Sequence, residues 1–245
     1  MNKRIKLLGS YLDCLTMEET IERTIVAVEN KEKIQHVVIN ASKINLMYDN
    51  KDLQNIVNSC PIINADGQSI VWAGRFLGHS IPERVAGIDL FDNLIKVCVE
   101  KGYKPYFFGA KQQVVEKVVE HYLLRYPDLK IAGFRNGYFN SDESVKIAED
   151  ICKSGADMLF VAFSSPKKEF WINENMPFMK VPFAMGVGGS FDVIAGEMTR
   201  APLWMQKFGL EWFHRFIQEP RRMFKRYVIG NFRFLCKTLK EKYKY

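Results

Sequence analysis

Short apolar runs rich in β-branched and aromatic residues alternate along most of this chain with segments whose apolar positions recur every three to four residues. The runs Lys6–Gly9, His36–Asn40, Ile62–Asn64, Pro105–Phe108, Lys130–Phe134, Met158–Ala162 and Phe183–Val187 predict strands. Between them, Thr16-Met17-Glu18-Glu19 is a capping box that opens a helix with Ile21, Ile25 and Val28 on one face. Lys111–Tyr126 carries Val114, Val115, Val118 and Val119 and stops at Pro127, and Ser141–Lys153 is another amphipathic helix. From about Pro202 onward no β-like run occurs, and the chain reads as helices to its end. Strand and helix in alternation predict an α/β fold, a Rossmann-like parallel sheet flanked by helices. Residues 1–195 form the expected core and residues 196–245 a helical appendage.

Charge sharpens that division. Arg200 to Tyr245 hold twelve of the 35 Lys and Arg but three of the 28 acidic residues, so the formal net charge of +7 is a property of one end. The same segment carries 11 of the chain's aromatic side chains, interleaved with arginines as in Trp212-Phe213-His214-Arg215-Phe216. Basic residues mixed with aromatics suit an anionic membrane interface or single-stranded nucleic acid; an amphipathic helix docked on the core is the third reading. The scarcity of Ser, Gly and Asn on the apolar positions favours lipid. A tail so apolar either folds onto the core or meets lipid or another subunit, which leaves a homo-oligomer open. No apolar run approaches the roughly 18–20 residues that cross a bilayer. The stretch Ile5 to Gly9 is too brief for a signal peptide, so a cytoplasmic location is expected. Five cysteines, Cys14, Cys60, Cys98, Cys152 and Cys236, are an odd number at wide spacing, which argues for reduced thiols. The four histidines show no metal-ligand spacing.

In an open α/β sheet, ligands collect at the carboxyl ends of the strands, and several turns there carry chemistry. Gly186-Val187-Gly188-Gly189-Ser190-Phe191-Asp192 follows a strand with three glycines, which lets backbone N–H groups approach a phosphate, or simply makes a packing turn. Gly109 ends another strand as a tight turn or a weaker cradle. No dinucleotide fingerprint or P-loop is present, which weighs against an NAD-linked oxidoreductase on this core. Asp66, in Asn64-Ala65-Asp66-Gly67, stands at a strand end either as a general base or as a helix cap. Arg84 precedes the helix from Ile88 and could grip a phosphate or pair with Glu83 or Asp89. Ser164-Ser165-Pro166-Lys167-Lys168-Glu169 starts a helix, with Lys167 near its anion-attracting end. Together these residues suggest a phosphate-binding cleft with one carboxylate.

His36-Val37-Val38-Ile39-Asn40-Ala41, Asn64–Gly67, Glu83-Arg84-Val85-Ala86-Gly87, Asn136-Gly137-Tyr138-Phe139, Pro166–Glu169, Gly186–Asp192, Arg200-Ala201-Pro202 and Gly209-Leu210-Glu211-Trp212 occur here in order. In these blocks the chain resembles the WecG/TagA/CpsF family of bacterial glycosyltransferases from about residue 5 to 235. The resemblance implies an inverting, metal-independent enzyme without cofactor. It would move a sugar from a UDP donor onto an undecaprenyl-diphosphate-linked GlcNAc at the inner face of the plasma membrane. N-acetylmannosamine, its uronate and glucose are the donor sugars in view. Carried over by motif, Asp66 is the base and Asn40 holds the sugar near it. Tyr138 and Asp192 hold the uridine, and Val187, Gly188 and Gly189 the donor phosphates. Arg84, Arg215, Arg222 and Lys225 or Arg226 would stabilise diphosphate charge as the tail closes over the site and docks on the bilayer. Lys168 departs from the family, which commonly has Gln there; it could pair with a carboxylated sugar or a phosphate, or be a solvated helix lysine. Nucleic acid is not expected as a partner.

Overall fold

The computed structural model of the protein describes residues 3–243, without the side chain of Arg222. The chain opens with a hairpin, β1 (Arg4–Leu7) and β2 (Ser10–Asp13), paired antiparallel. Leu8 and Gly9, at φ of 51° and 73°, form the two-residue turn with both φ positive that matches strand twist. This corrects the expectation of a sheet strand at Lys6–Gly9, because the turn falls inside that run. The hairpin is tied to the sheet through Asp13, whose carboxylate accepts from the Arg4 guanidinium at 2.7 Å and from Ile63 N at 2.8 Å.

Six strands follow: β3 (Ile34–Ile39), β4 (Ile62–Ala65), β5 (Pro105–Gly109), β6 (Gly133–Arg135), β7 (Met158–Ala162) and β8 (Phe183–Gly186). They form one sheet in the order β4-β3-β8-β7-β5-β6, every pair parallel. The helices are α1 (Met17–Glu29), α2 (Ala41–Asp49), α3 (Lys51–Ser59), α4 (Gln68–Phe76), α5 (Gly87–Lys101), α6 (Gln112–Arg125), α7 (Ser144–Lys153), α8 (Lys167–Met179) and α9 (Ser190–Ile194). The tail adds α10 (Leu203–Lys207), α11 (Glu211–Gln218), α12 (Pro220–Phe224), a π turn at Lys225–Ile229 and α13 (Gly230–Lys242). The expected helix at Ser141–Lys153 begins as a 3-10 turn, Ser141–Glu143, and the expected strand at Lys130–Phe134 shrinks to the edge strand β6.

Each face of the sheet buries its own core. Val28 of α1, Phe91 and Leu94 of α5, Val115 and Tyr122 of α6 and Phe191 of α9 pack with Phe107 and Phe160 on one face. On the other face, Ile44, Leu53 and Ile70 of α2, α3 and α4 pack with Val37 and Ile63, and Ile147 and Ile172 of α7 and α8 with Phe108 and Leu159. Connections that step toward the β4 edge thus carry their helices on one face; of those that step toward β6, α5 and α6 pack on the other, while α4 stays with α2 and α3 before the chain crosses to α5. Right-handed crossovers require this arrangement. The chain leaves β3 toward α2 on one face and β8 toward α9 on the opposite face. A crevice therefore opens between their carboxyl ends.

The basic tail folds back onto the core. Phe234 of α13 is buried in the cluster beneath α2. Asn45 donates to the Gly230 carbonyl at 2.7 Å, Lys237 donates to Asn45 Oδ1 at 2.9 Å, and Arg233 pairs with Asp49 at 2.9 Å. The hairpin turn completes the clasp, with Leu8 N donating to Glu241 at 2.8 Å. No helix among the described residues is long and apolar enough to cross a membrane.

Candidate active site

The crevice collects the strand-end residues singled out in the sequence. Asn40, immediately after β3, caps α2 by accepting from Lys43 N at 3.0 Å, and its amide lies 3.4 Å from Asp66 Oδ2. Asp66 follows β4. Its Oδ1 accepts from Gly87 N at 2.9 Å, at the start of the fifteen-residue α5, where unpaired N–H groups favour an anion. One carboxylate oxygen is thereby anchored, while the other faces Asn40 with a single long contact. A general base needs that arrangement: a fixed orientation and one oxygen left for a substrate proton.

Beyond β8 the backbone turns through Gly186, Val187, Gly188 and Gly189. Val187 N continues the ladder to Val161 O at 2.9 Å, Gly188 takes a φ of 56°, and Val187 O caps Ser190. Among the described residues, no carbonyl accepts from Gly188 or Gly189 N–H. Two cationic side chains lie against this turn. A Cβ at Gly189 would lie 2.6 Å from Arg215 Nη2, and one at Gly186 would lie 2.7 Å from Lys168 Cδ. The tail's Arg215 therefore rests on the turn from one side, and Lys168 supports it from beneath. Arg215 Nε is buried with no hydrogen-bond partner.

Lys168 is not the solvated helix lysine that its sequence context allows: only 9% of it is exposed. Its neighbour Glu169, also buried, binds Lys43 Nζ at 2.5 Å and accepts from Ser165 Oγ at 3.1 Å. Burial, with Lys43 alongside, pushes the Lys168 ammonium down to about 8. Burial alone would raise the Glu169 carboxyl, but Lys43 and Lys168 outweigh it and hold the group below its ordinary value. Arg226 of the tail is near enough to bear on Lys168 as well, although its side chain is exposed and stacks on Tyr227.

Other candidates lie at the edges of the crevice. Gly109 has a φ of 131°, and a Cβ there would meet the Ala162 backbone at 2.8 Å, so close approach to β7 accounts for this glycine. Tyr138 is 68% exposed on a loop held by Gly137 N bonding to Ala110 O at 2.9 Å. It lines a shallow pocket of about 480 Å³ with Phe139, Asn140, Glu143 and Lys167, the last seated over the Phe139 and Phe163 rings. Asp192 lies in α9, directly after the glycine turn. Lys225 is exposed in the π turn, and the side chain of Arg222 lies outside the described residues.

The ion-pair partner of Arg84 differs from the one its sequence neighbours offered. Arg84 pairs with neither Glu83 nor Asp89 but with Glu211 at the start of α11, in a short ion pair. Arg200 joins the same cluster, 2.7 Å from Asp89 and 3.9 Å from Glu211. Glu211, and Lys43 with its bond to Glu169, are site residues that no sequence expectation named. The motif Gly209-Leu210-Glu211-Trp212 is the signal that could have found Glu211; for Lys43 the sequence offers none.

A sequence model described as the glycosyl transferase WecG/TagA/CpsF family matches residues 5–245. The N-acetylglucosaminyldiphosphoundecaprenol N-acetyl-beta-D-mannosaminyltransferase of Bacillus subtilis (strain 168) is 35% identical over 172 residues, 70% of this chain and 66% of that protein. The protein of the same name from Bacillus spizizenii (strain ATCC 23059 / NRRL B-14472 / W23) is 34% identical over 173 residues, 71% of this chain and 66% of its own length. The matched stretch thus spans just under two thirds of each of these relatives.

Proposed function

The chain belongs to the glycosyl transferase WecG/TagA/CpsF family, and from that premise we propose that it transfers a sugar from a UDP donor to a lipid-linked acceptor. The donor sugar is N-acetylmannosamine and the acceptor GlcNAc on undecaprenyl diphosphate, as the names of the two Bacillus relatives suggest, with the uronate of that sugar as the alternative donor. One observation carries this reading: an anchored carboxylate, Asp66, shares a crevice with a glycine turn flanked by the cations of Arg215 and Lys168.

In the transfer, the acceptor hydroxyl gives its proton to Asp66 Oδ2 as its oxygen attacks the anomeric carbon. The carbon–oxygen bond to UDP breaks on the opposite side, which inverts that centre, and UDP departs with the bonding pair. Charge develops on the diphosphate, where turn N–H groups and Arg215 would stabilise it, a task suited to preorganised donors in a crevice. No step is assigned to a metal ion. Asn40 would orient the acceptor sugar beside Asp66, while Tyr138 and Asp192 would hold the uridine. Arg226, Lys225 and Arg222 would add positive charge from the tail. Arg84, whose Nη1 engages Glu211, would use its remaining donors on the diphosphate.

The tail also supplies a docking face for the bilayer. Leu203, Trp204, Phe208, Trp212, Phe213 and Ile217 of α10, its following turn and α11 are exposed, among the cations that suit an anionic inner leaflet. The reaction would then run at the inner face of the plasma membrane, in assembly of a cell-surface polymer.

The test is UDP release from a panel of UDP-sugars, with and without a short-chain polyprenyl-diphosphate-GlcNAc, for the native chain and Asp66→Asn. Acceptor-dependent release with one donor is expected. The variant should fall about 10²–10⁴-fold while still binding UDP. Native protein that neither releases nor binds UDP would refute the proposal.

A further inference from the structure

The charges beneath the glycine turn do not balance. Lys43 and Lys168 bring two ammonium groups to one carboxylate; Glu169 Oε1 is engaged by Lys43 at 2.5 Å and Ser165 at 3.1 Å, while Glu169 Oε2 is buried without a hydrogen bond from either lysine. Lys168 Nζ stands 3.9 Å from Oε1, beyond a hydrogen bond, and it has no acceptor among the described residues. Its stem is wedged against Gly186, whose Cβ would come within 2.7–3.1 Å of Lys168 Cγ, Cδ and Cε. The tip lies 3.2 Å from where a Gly188 Cβ would stand, so the ammonium points at the turn. The other charged groups that bear on it are Lys43 on α2, Glu169 on α8, Asp66 after β4 and Arg226 from the tail. With Lys168 itself, that makes three cations against two carboxylates. The stem is buried, but Nζ is not among the fully enclosed side-chain atoms without a partner, so the tip keeps access to solvent and its donors are open on the side of the turn. A cation so placed, with no acceptor from the fold and its tip open toward the glycine turn, is positioned for an anion that arrives from outside.

We propose that Lys168 is an anion-binding residue of the donor site, its ammonium taking a negatively charged oxygen that the nucleotide-linked sugar brings to the Gly186–Gly189 turn. The inference rests on the UDP-sugar reading above. Two donor groups carry such an oxygen: the diphosphate, common to all UDP-sugars, and a carboxylate on the sugar ring, present only in a uronate. In the first case Lys168 contributes to binding every donor. In the second it decides which sugar is accepted.

Calorimetry on the full chain separates the cases, with UDP, UDP-N-acetylmannosamine and UDP-N-acetylmannosaminuronate as ligands. The proteins are the native chain, Lys168→Gln and Lys168→Met, each first shown to unfold cooperatively. At least one ligand should bind about tenfold more weakly to both variants. At pH 8 the native chain should take up about half a proton per site when that ligand binds, because an anion restores the proton a buried lysine has partly shed; comparison of two buffers with different ionisation enthalpies reads this directly. The variants should take up none. Weakening that includes UDP itself assigns the diphosphate; weakening confined to the uronate assigns the sugar carboxylate. Unchanged affinity for all three ligands in both variants, with no proton uptake by the native chain, overturns the proposal while leaving the transferase reading intact. A native chain that binds neither UDP nor a UDP-sugar removes both.

Discussion

Replacing Lys168 by Met keeps the length of the buried stem and deletes its charge, and this should stabilise the protein at neutral pH. The native ammonium sits in a site that lowers it from 10.5 to about 8, chiefly by burial. Each unit of that difference corresponds to about 1.4 kcal/mol, so the charged form costs the folded state about 3 kcal/mol at pH 7. Between pH 8 and pH 10.5 the unfolded chain still holds a proton that the folded chain has lost. Native stability should therefore rise with pH through that window as the penalty is relieved. The advantage of Lys168→Met should fall from about 3 kcal/mol at pH 7 to about 1.4 kcal/mol at pH 9.5. Urea unfolding of both proteins at the two pH values measures the difference directly. A variant less stable than the native chain at pH 7, or a difference that does not change with pH, would refute the reasoning, because Lys168 would then be satisfied by partners within the fold. Saturating UDP provides the complementary arm. If the diphosphate occupies the ammonium, ligand should stabilise the native chain more than Lys168→Met and narrow the gap between them. Stability given up at a binding residue is an expected pattern, since sites built for a ligand are rarely optimal without it.

Two further predictions concern groups outside this cluster. His36 is fully buried, bonded to Asn64 at 2.8 Å, and burial pushes it down to about 4. Its contribution is intact above pH 6.5 and is lost as pH falls toward 4, so native stability should drop by about 2.5 kcal/mol more than that of His36→Gln between pH 7 and pH 4.5; parallel acid titrations would dismiss the idea. Glu211→Gln removes the carboxylate that Arg84 and Arg200 share, and limited proteolysis should then cut between α10 and α12 several-fold faster than in the native chain. Equal cleavage rates would mean that this ion-pair cluster does not hold the tail.

How far the sequence revealed this arrangement depended on the range of each interaction. Strands β7 and β8 are covered on both faces and read as unbroken apolar runs, and β3 was legible from its Val37-Val38-Ile39 stretch although it also buries Gln35 and His36. Strand β2 was not, because its buried Asp13 looks like a turn residue until Arg4 and Ile63 are seen to satisfy it. The same limit governs the site. Asp66, Asn40 and Gly186–Gly189 could be picked out because a parallel sheet delivers the ends of its strands to one edge wherever they fall in the sequence. Ion pairs obey no such rule. Lys43 and Glu169 are 126 residues apart, and Arg84 and Glu211 are 127 apart; neither pairing has a periodicity that could announce it. Lys168 shows the consequence most directly. In sequence, Pro166-Lys167-Lys168-Glu169 is the start of a polar helix, and either lysine could be the solvated one. The fold separates them: Lys167 lies over two aromatic rings at the edge of the crevice, while Lys168 turns inward beneath Gly186. The inward lysine meets a glutamate that Lys43 has already neutralised, and that prior claim leaves its charge for a ligand.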